Sequence, residues 1–586
     1  MIIIGRNCIR ISRLSEQGER NMKRTIVICE YISTGMNYIE DVVARGYEPV
    51  LLEGHYVGTE EEISVVREAR DAINASFNGK YKIIKESADY DEILRQVKEV
   101  DPVLVIPGGE FGVPLAIRLA NDLGLPCTPV SRLRAMTEKD AMHEALRKKG
   151  IRYIRGKIIT SEEEACAWYE ELGCEDVVVK RTRGGGTEGV YLCHGKEEML
   201  NAVRRSFTAD AKGENGKDDI AILIQEQIKG TEYIVNTVSS KGKHRVVSAW
   251  EYDKLKMANG GNAYNHVYCL PRLEIGHSRL LRYALQAVDA IGLEYGPVHG
   301  EYMIDEKGPV LIEVNCRPIG GFLQRKFIER IFGHHETDVA LDSYLDSRRL
   351  KEDSAKPYRL NEFGAIKFFI LQKDTEVKSA PIIQIAKHLK SYYSSLYSGI
   401  GRTEFLPETR DMETDGGRVF LLHKDEDVVK CDCEMLHLIE MRYPRILYQG
   451  SDYVEQFNTA PRDIPAVIEK AHCEGPTLVF TDSAEEDYAN VTVTGTNGLS
   501  EAYDSYEQGI LDLSKPETYS DLESIIQQIY EFFTKVRKGG RILVPESTYC
   551  HLPYGIEGME IIMRTAGLRV ELPLSHMPDL LIATVE

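Results

Sequence analysis

The sequence predicts an α/β protein whose first part is a parallel sheet, and three observations carry that expectation. Between Thr25 and Val130 short apolar runs alternate with amphipathic stretches of helical length, the pattern of strand–helix units. Turn residues punctuate the units, as in Pro107-Gly108-Gly109-Glu110 after an apolar run. The 586 residues correspond to about four domains at roughly 150 residues each, which excludes a single small binding module.

Taken in order, Thr25–Cys29 is the first strand, 35–45 a helix and Glu48–Leu52 the second strand. A helix over 90–100, a strand over 103–106 and a helix over 113–123 follow. The Pro107–Glu110 turn lies at the carboxyl end of a parallel strand, a usual place for ligands and equally an ordinary connection. Thr137 is the expected N-cap of a helix carrying Lys139, Met142, Ala145 and Leu146, with Gly150 after its last turn. Strands at 177–180 and 189–193 flank Gly184-Gly185-Gly186, and further strands are expected at 221–225 and 232–238. The polar stretch 210–219 is expected to be a mobile loop. No repeat or low-complexity tract interrupts the chain.

Composition narrows the partners. Hydrophobic residues make up 43% and charged residues 28%, the balance of a protein with several cores. Lys plus Arg number 72 against 92 Asp plus Glu, a formal charge of −20. Such a surface repels phosphate backbones and anionic lipids, so neither nucleic acid nor membrane is the expected partner. A local basic pocket can still hold a nucleotide. No apolar run approaches the roughly 20 residues that span a bilayer, and the Met1–Gly5 stretch is too short for a signal-peptide core. The 12 scattered cysteines suit reduced thiols in a cytoplasmic protein, and the close pair Cys431 and Cys433 lacks the partners of a zinc site.

The stretch 296–321, GPVHGEYMIDEKGPVLIEVNCRPIGG, carries the most chemistry. Val310, Ile312, Val314 and Cys316 alternate with Glu313, Asn315 and Arg317, so one face packs on a core and the other presents an acid, an amide and a guanidinium. The turn at 305–308 allows the preceding strand to bring Glu301 to Glu313, on one face only if the loop has an odd number of residues, such as 306–308. Two carboxylates and an amide oxygen suit Mg²⁺ with nucleotide phosphates as further ligands, while the same alternation also fits a solvent-facing ladder paired to Arg317. Val177-Val178-Val179-Lys180 delivers a lysine to the edge of a glycine-rich loop whose backbone can approach phosphate. Neither a Walker A loop nor a G-x-G-x-x-G fingerprint occurs. In QEQIKGTEY, 225–233, a strand ends in polar residues and Glu232 is placed to accept hydrogen bonds from ribose hydroxyls.

In this order the pieces resemble the ATP-grasp superfamily of carboxylate–amine ligases, from about Thr25 to about Gly450. The likeness is closest to the L-amino-acid ligase branch of dipeptide synthetases, through H-G-E-x-M followed by G-P-V-L-I-E-V-N-C-R-P-x-G-G. The resemblance implies an ATP-grasp fold: an arm over 1–24, an N-terminal parallel α/β domain over 25–134, a central lid domain over 135–240 and an antiparallel-sheet catalytic domain over 241–450. It implies that Glu301, Glu313 and Asn315 bind Mg²⁺, or Mn²⁺ in its place, and that Arg317 is catalytic, stabilising the transferring phosphoryl group. It further assigns ATP to Lys139, Lys180, the Gly184, Gly185 and Gly186 loop, an adenine hinge at Glu226, Gln227 and Ile228, and the ribose acid Glu232. Cys316 departs from the proline frequent after that asparagine, and its place on the core face makes it tolerable.

The implied activity is ATP-dependent joining of a carboxylate, an amino acid by resemblance, to an amine through an acyl phosphate, with ADP and phosphate as products. A carboxylase working through carboxyphosphate and a non-catalytic nucleotide-binding scaffold are the alternatives, and no biotinylation site supports the first. Small-molecule carboxylate and amine are thus the expected partners, and a homo-oligomer is compatible with the sequence. Residues 451–586 form an additional α/β domain. Strands at 476–481 and 490–494, a helix over 521–536, KGGRILVP, and a helix ending at Ala566-Gly567-Leu568 resemble the second half of an S-adenosylmethionine methyltransferase-like Rossmann domain. Its glycine-rich first loop is missing, so a degenerate, structural or partner-binding domain is expected.

Overall fold

The structure is a computed structural model that describes residues 24–56, 60–181, 189–208, 222–257, 262–271, 275–321, 323–346, 358–377, 379–397, 405–411, 414–443, 467, 475–481, 491–494, 499, 506–513, 522–549, 555–571 and 580–586. The arm before Arg24, the Gly184–Gly186 loop and the 210–219 stretch lie outside the described residues. The chain divides into two compact units, 1–364 with 410–413, and 365–409 with 414–586.

The first unit begins with a parallel sheet. β1 (Thr25–Cys29), β2 (Glu48–Leu52), β3 (Lys82–Ile84) and β4 (Pro102–Pro107) lie in the order β3-β2-β1-β4. α1 (Asn37–Ala44), α2 (Glu60–Ser76) and α3 (Tyr90–Glu99) connect them in turn, and α4 (Val113–Asp122) follows β4. Strand order reverses at β1, so the carboxyl ends of β1 and β4 flank a crevice. Backbone packs directly on backbone there. A Cβ on Gly35 would meet the Gly108 carbonyl oxygen at 2.2 Å, and one on Gly112 would meet the Cys29 carbonyl oxygen at 2.3 Å. Buried Glu30, at φ +58°, is held by Arg70 of α2, which also donates to the Gly54 carbonyl at 2.7 Å.

α5 (Leu133–Thr137) and α6 (Lys139–Lys148) follow. The expected N-cap at Thr137 is not formed: Thr137 ends α5 and its hydroxyl donates to the Leu133 carbonyl at 2.9 Å. Glu138 takes the cap position without a side-chain cap bond, its carboxylate being paired with Arg134 at 2.7 Å. β5 (Gly156–Ile159), β6 (Asp176–Arg181), β7 (Tyr191–His194) and β8 (Ile222–Glu226) form an antiparallel sheet in the order β5-β8-β6-β7. α7 (Glu162–Leu172) and α8 (Gly195–Thr208) cover one face, on Val177, Val179, Ile222 and Ile224. By alternation Val178, Lys180, Leu223 and Gln225 belong to the other face.

β9 (Thr231–Ser240), β10 (Lys243–Lys256), β11 (Asn262–Cys269), β12 (Tyr295–Asp305) and β13 (Gly308–Asn315) run antiparallel in the order β13-β12-β9-β10-β11. α9 (Ile275–Ile291) packs its Leu280, Ala284, Ala287 and Val288 on Val235, Val298, Leu311 and Val314 of one face. α10 (Arg325–Phe332) and α11 (Glu336–Leu345) complete this unit.

In the second unit β14 (Phe363–Phe368), whose first two residues belong to the preceding unit, β18 (Gly417–His423) and β16 (Tyr392–Tyr397) lie in that order under a helix over Glu426–Arg442. β15 (Thr375–Glu376) pairs with β17 (Phe405–Leu406). On that helix Cys431 is exposed and Cys433 buried, so the two thiols do not share a site. β19 (Thr477–Thr481), β20 (Val491–Thr494), β21 (Tyr506–Asp512), β22 (Val536–Pro545), β23 (Leu568–Glu571) and β24 (Leu580–Val585) form a mixed sheet, β20-β19-β21-β22-β24-β23. The first four are parallel and β24 opposes both neighbours. The helix expected to reach residue 536 ends at Phe533, and KGGRILVP lies wholly within β22.

The stacked glycine loops give the first test. Gly112→Ala, which must push apart the turn after β4 and the end of β1, should cost about 1–3 kcal/mol. Urea unfolding followed by tryptophan-independent probes such as far-UV circular dichroism checks it against Gly276→Ala, whose Cβ meets nothing within 4 Å and whose φ is not positive.

Candidate active site

β12 and β13 set the centre of the site. Their turn holds two residues, Glu306 and Lys307, because Asp305 pairs with Gly308, and not the odd number that placing both acids on one face demands. A bulge restores the parity: Glu301 pairs with Glu313 and Tyr302 with Leu311, leaving Ile312 as the extra residue. Glu301 and Glu313 therefore stand directly opposite on the same face. The correction reaches the core as well, since Leu311 is buried there and Ile312 is only half-buried, whereas Val314 and Cys316 are buried as expected. Asn315 donates its Nδ2 to Glu313 at 3.3 Å, which leaves its Oδ1 for a cation.

Cations gather round the acids from separate elements. Lys139, at the head of α6, lies 2.7 Å from Glu313. Burial works against its charge, but Glu313, Glu110 and Glu301 outweigh burial and hold the ammonium above its usual range. Lys180 of β6 is 7% exposed, and burial together with the charge of Lys139 pulls its ammonium down to about 8. Lys254 of β10 pairs with Glu232 at 2.7 Å and lies over the Tyr264 ring, 4.5 Å from its centroid. Burial opposes its charge, and Glu232 and Glu301 restore it. WEYDKLK shows no motif that marks Lys254, and only the strand register, which sets Tyr252 opposite Glu232, brings Lys254 within reach of that acid. His299 binds the Asn236 Oδ1 through Nδ1 at 2.9 Å and approaches Glu301 through Nε2 at 3.4 Å, with Asn236 in turn donating to Ser248 at 2.8 Å. Burial leads in lowering the His299 imidazole below its usual range, against the pull of Glu301.

Arg317 donates to Glu110 at 3.0 Å and to the Pro318 carbonyl at 3.1 Å. Glu110 belongs to the glycine turn after β4, so the crevice of the parallel sheet opens onto the acid-bearing face. That turn was read for its position alone; its acid is now seen to be a partner of Arg317. The expected hinge is more divided. Glu226 turns its carboxylate to Arg155, at 3.1 Å from the guanidinium and 2.9 Å from its backbone N–H, whereas Gln225 pairs with Val178 on the face of Lys180. Gln225 is 2% exposed and its Nε2 has no hydrogen-bond partner. It lines a cavity of about 370 Å³ with Leu223, which stands opposite Lys180, and with His143, Ile154 and Trp168. Burial, then Lys180, lowers His143 to about 3, so the imidazole beside the lysines is neutral. Gln227 donates its backbone N–H to the Asp176 carbonyl, and Ile228 is half-buried at the start of the turn into β9.

Comparison with known proteins bears on the domain family and the fold. Residues 174–326 match the ATP-grasp domain family. Dapdiamide A synthase of Enterobacter agglomerans is 24% identical over 343 residues, 58% of this chain and 77% of that protein. The D-alanine–D-alanine ligase of Clostridium botulinum is 26% identical over 273 residues, 45% of this chain and 85% of that enzyme. Among solved structures, the L-amino acid ligase from Bacillus licheniformis superimposes with a TM-score of 0.55 at 16% identity, over 72% of this chain and 98% of that one, a likeness of fold. No described helix is long and apolar enough to cross a membrane. The chain is an ATP-grasp domain protein, with the ATP-grasp fold over about 72% of its length and a further mixed sheet at its C-terminal end.

Proposed function

We propose that the protein is an ATP-dependent ligase that joins the carboxylate of an amino acid to an amine through an acyl phosphate, releasing ADP and phosphate. The observation that carries this reading is the opposed pair Glu301 and Glu313, set on one face with Asn315 and ringed by Lys139, Lys180, Lys254 and Arg317. Two opposed carboxylates and a free amide oxygen are the hard donors that Mg²⁺ takes, and Glu301, Glu313 and Asn315 would hold it. When bound, the metal supplies positive charge to the phosphate oxygens. The lysines do the rest of the neutralising. Lys139 and Lys180 reach the nucleotide from two elements, and Lys254 adds charge beside Glu232, the candidate ribose acid. The cavity beside Gln225 offers room for the base. Arg317, now spent on Glu110, is the fork available to a phosphoryl or tetrahedral oxyanion. No covalent nucleophile is called for: a carboxylate becomes reactive once phosphorylated, and positioning plus charge account for the transfer.

The product test is decisive. Incubation with ATP, Mg²⁺ and amino-acid pools should yield ADP, phosphate and a new amide, read by nucleotide chromatography and product mass. AMP with pyrophosphate would replace phosphorylation by adenylation, and phosphate with a carboxylated product would favour carboxyphosphate chemistry.

Single changes divide the roles. Glu313→Gln should lower turnover at least about tenfold at limiting Mg²⁺ while leaving the fold intact. Arg317→Ala should lower kcat by about 10²–10³-fold, since its charge is needed most in the transition state, and Arg317→Lys should recover only part. An alanine variant altered only in the KM for ATP would make Arg317 a binding residue.

Lys180 gives a pH signature. Its ammonium is lowered to about 8, and nucleotide phosphates favour the charged form and raise it. Binding of MgADP near pH 8 to 9 should therefore take up protons, measurable by calorimetry in buffers of different ionisation enthalpy. Lys180→Met should abolish that uptake.

A further inference from the structure

A second, much smaller cavity lies beside the Arg317 loop. Its volume is about 20 Å³, enough for one group the size of a water or an ammonium nitrogen. Thr34, Asn37, Ser248, Ile319, His334 and Glu336 are among its walls. Glu336, the first residue of α11, is 6% exposed. Its Oε2 accepts the Ile319 backbone N–H at 3.2 Å, whereas its Oε1 has no hydrogen-bond partner. A buried carboxyl half-satisfied in this way is costly unless a donor arrives. Burial pushes it up to about 8 despite the charge of Arg317, so the protein itself does not supply the cation this acid lacks.

The neighbours leave that place open. His334 donates Nε2 to the Val247 carbonyl at 2.8 Å, His335 is committed to Asp41 at 2.9 Å, and the Thr34 hydroxyl accepts the Leu323 N–H at 3.3 Å. Two of its wall residues, Ile319 and Ser248, are linked to the face that bears Glu301 and Arg317. Ile319 follows Arg317 by two residues, and Ser248 is the end of the chain through Asn236 to His299 and Glu301.

We propose that Glu336 receives the ammonium group of an amine-bearing substrate, so that one of the two compounds joined enters with a free, cationic amine seated beside Arg317. Once ionised, an acid at this position repels phosphate and carboxylate, and the volume admits a primary ammonium but no quaternary one. The word substrate here rests on the ligase reading; the cavity's taste for a small ammonium does not.

Two experiments separate those claims. Thermal unfolding of the full chain is compared in methylammonium chloride and in tetramethylammonium chloride of equal ionic strength, at a pH above the Glu336 midpoint. Methylammonium should raise the wild-type Tm over the tetramethylammonium control, Glu336→Asp should keep part of the shift, and Glu336→Gln, which still accepts the Ile319 N–H, should lose it. Equal wild-type Tm values in the two salts, or an undiminished shift in Glu336→Gln, overturn the proposal, and the wild-type comparison decides even if neither variant folds. In turnover, Glu336→Gln should raise the KM for the amine-bearing substrate about tenfold, the loss of one charge-assisted contact, with MgADP affinity unchanged. An unchanged KM overturns the substrate assignment. Absence of any product from the wild type instead overturns the ligase reading, and the salt comparison still decides what the cavity binds.

Discussion

Two like charges held face to face govern this protein. Glu301 and Glu313 are cross-strand partners, and like charges directly opposite on a sheet destabilise it unless something intervenes. Here Lys139 answers Glu313 at 2.7 Å, while His299 and the charges of Lys254 and Lys139 act on Glu301 and hold its carboxyl well below the usual carboxylate range against the effect of burial. Those partners arrive from α6, β12 and β10. The packing of α6 against β13 and the pairing of β9 between β10 and β12 are thus electrostatic requirements as well as hydrophobic ones. The bulge at Ile312 is what creates the problem. With an uninterrupted ladder after the two-residue turn, Glu301 would oppose Ile312, and Glu313 would oppose Gly300 on the face that packs under α9.

That bulge also marks the limit of what could be read beforehand. Period-2 alternation located Glu313, Asn315 and Arg317 together, and pattern plus turn chemistry placed seven of the nine strands from Thr25 to Ser240 within a residue or two, missing the short β3 and β5. Parity then asked for an odd loop, because an insertion inside a ladder leaves no mark in an alternating string. Lys254 was hidden for a different reason: it is a lysine on an amphipathic strand, indistinguishable from a solvated one until β10 is laid beside β9. The choice between Gln225 and Glu226 turned on which face of β8 met the helices, which only Val177, Val179, Ile222 and Ile224 together decide. Thr137 failed as a cap since the preceding residues already formed a helix of their own, α5, and its hydroxyl had a closer acceptor in Leu133.

The N-terminal sheet contributes through glycine. Where β1 and β4 end, Gly35, Gly108 and Gly112 let two turns pack backbone against backbone, and Cβ atoms at these positions would lie 2.2 to 2.4 Å from carbonyl oxygens. The closeness brings Glu110 within 3.0 Å of Arg317, two hundred residues away in sequence. Arg70, from a helix the sequence pattern did not single out, anchors the same turns by holding Glu30. The end of the parallel sheet thereby forms a wall beside Lys139 and Arg317.

Charge bookkeeping across the site explains why so many ions can coexist without a ligand. Glu110, Glu232, Glu301 and Glu313 are matched by Arg317, Lys254, Lys139 and the partly charged Lys180, so the resting constellation is close to neutral. A triphosphate entering a neutral site gains little from it unless existing pairs exchange partners. On the proposed reading the exchange is specific: phosphate oxygens draw Lys139 from Glu313 and Arg317 from Glu110, and the acids so released need cations of their own. Glu301 and Glu313 are then the natural holders of a divalent ion that arrives with the nucleotide, since two acids deprived of lysine repel each other again. Glu110, released from Arg317, faces the crevice of the parallel sheet as a free carboxylate. On that reading the ion pairs Lys139–Glu313 and Arg317–Glu110 are placeholders, each keeping one charged group in position for the partner that displaces the other.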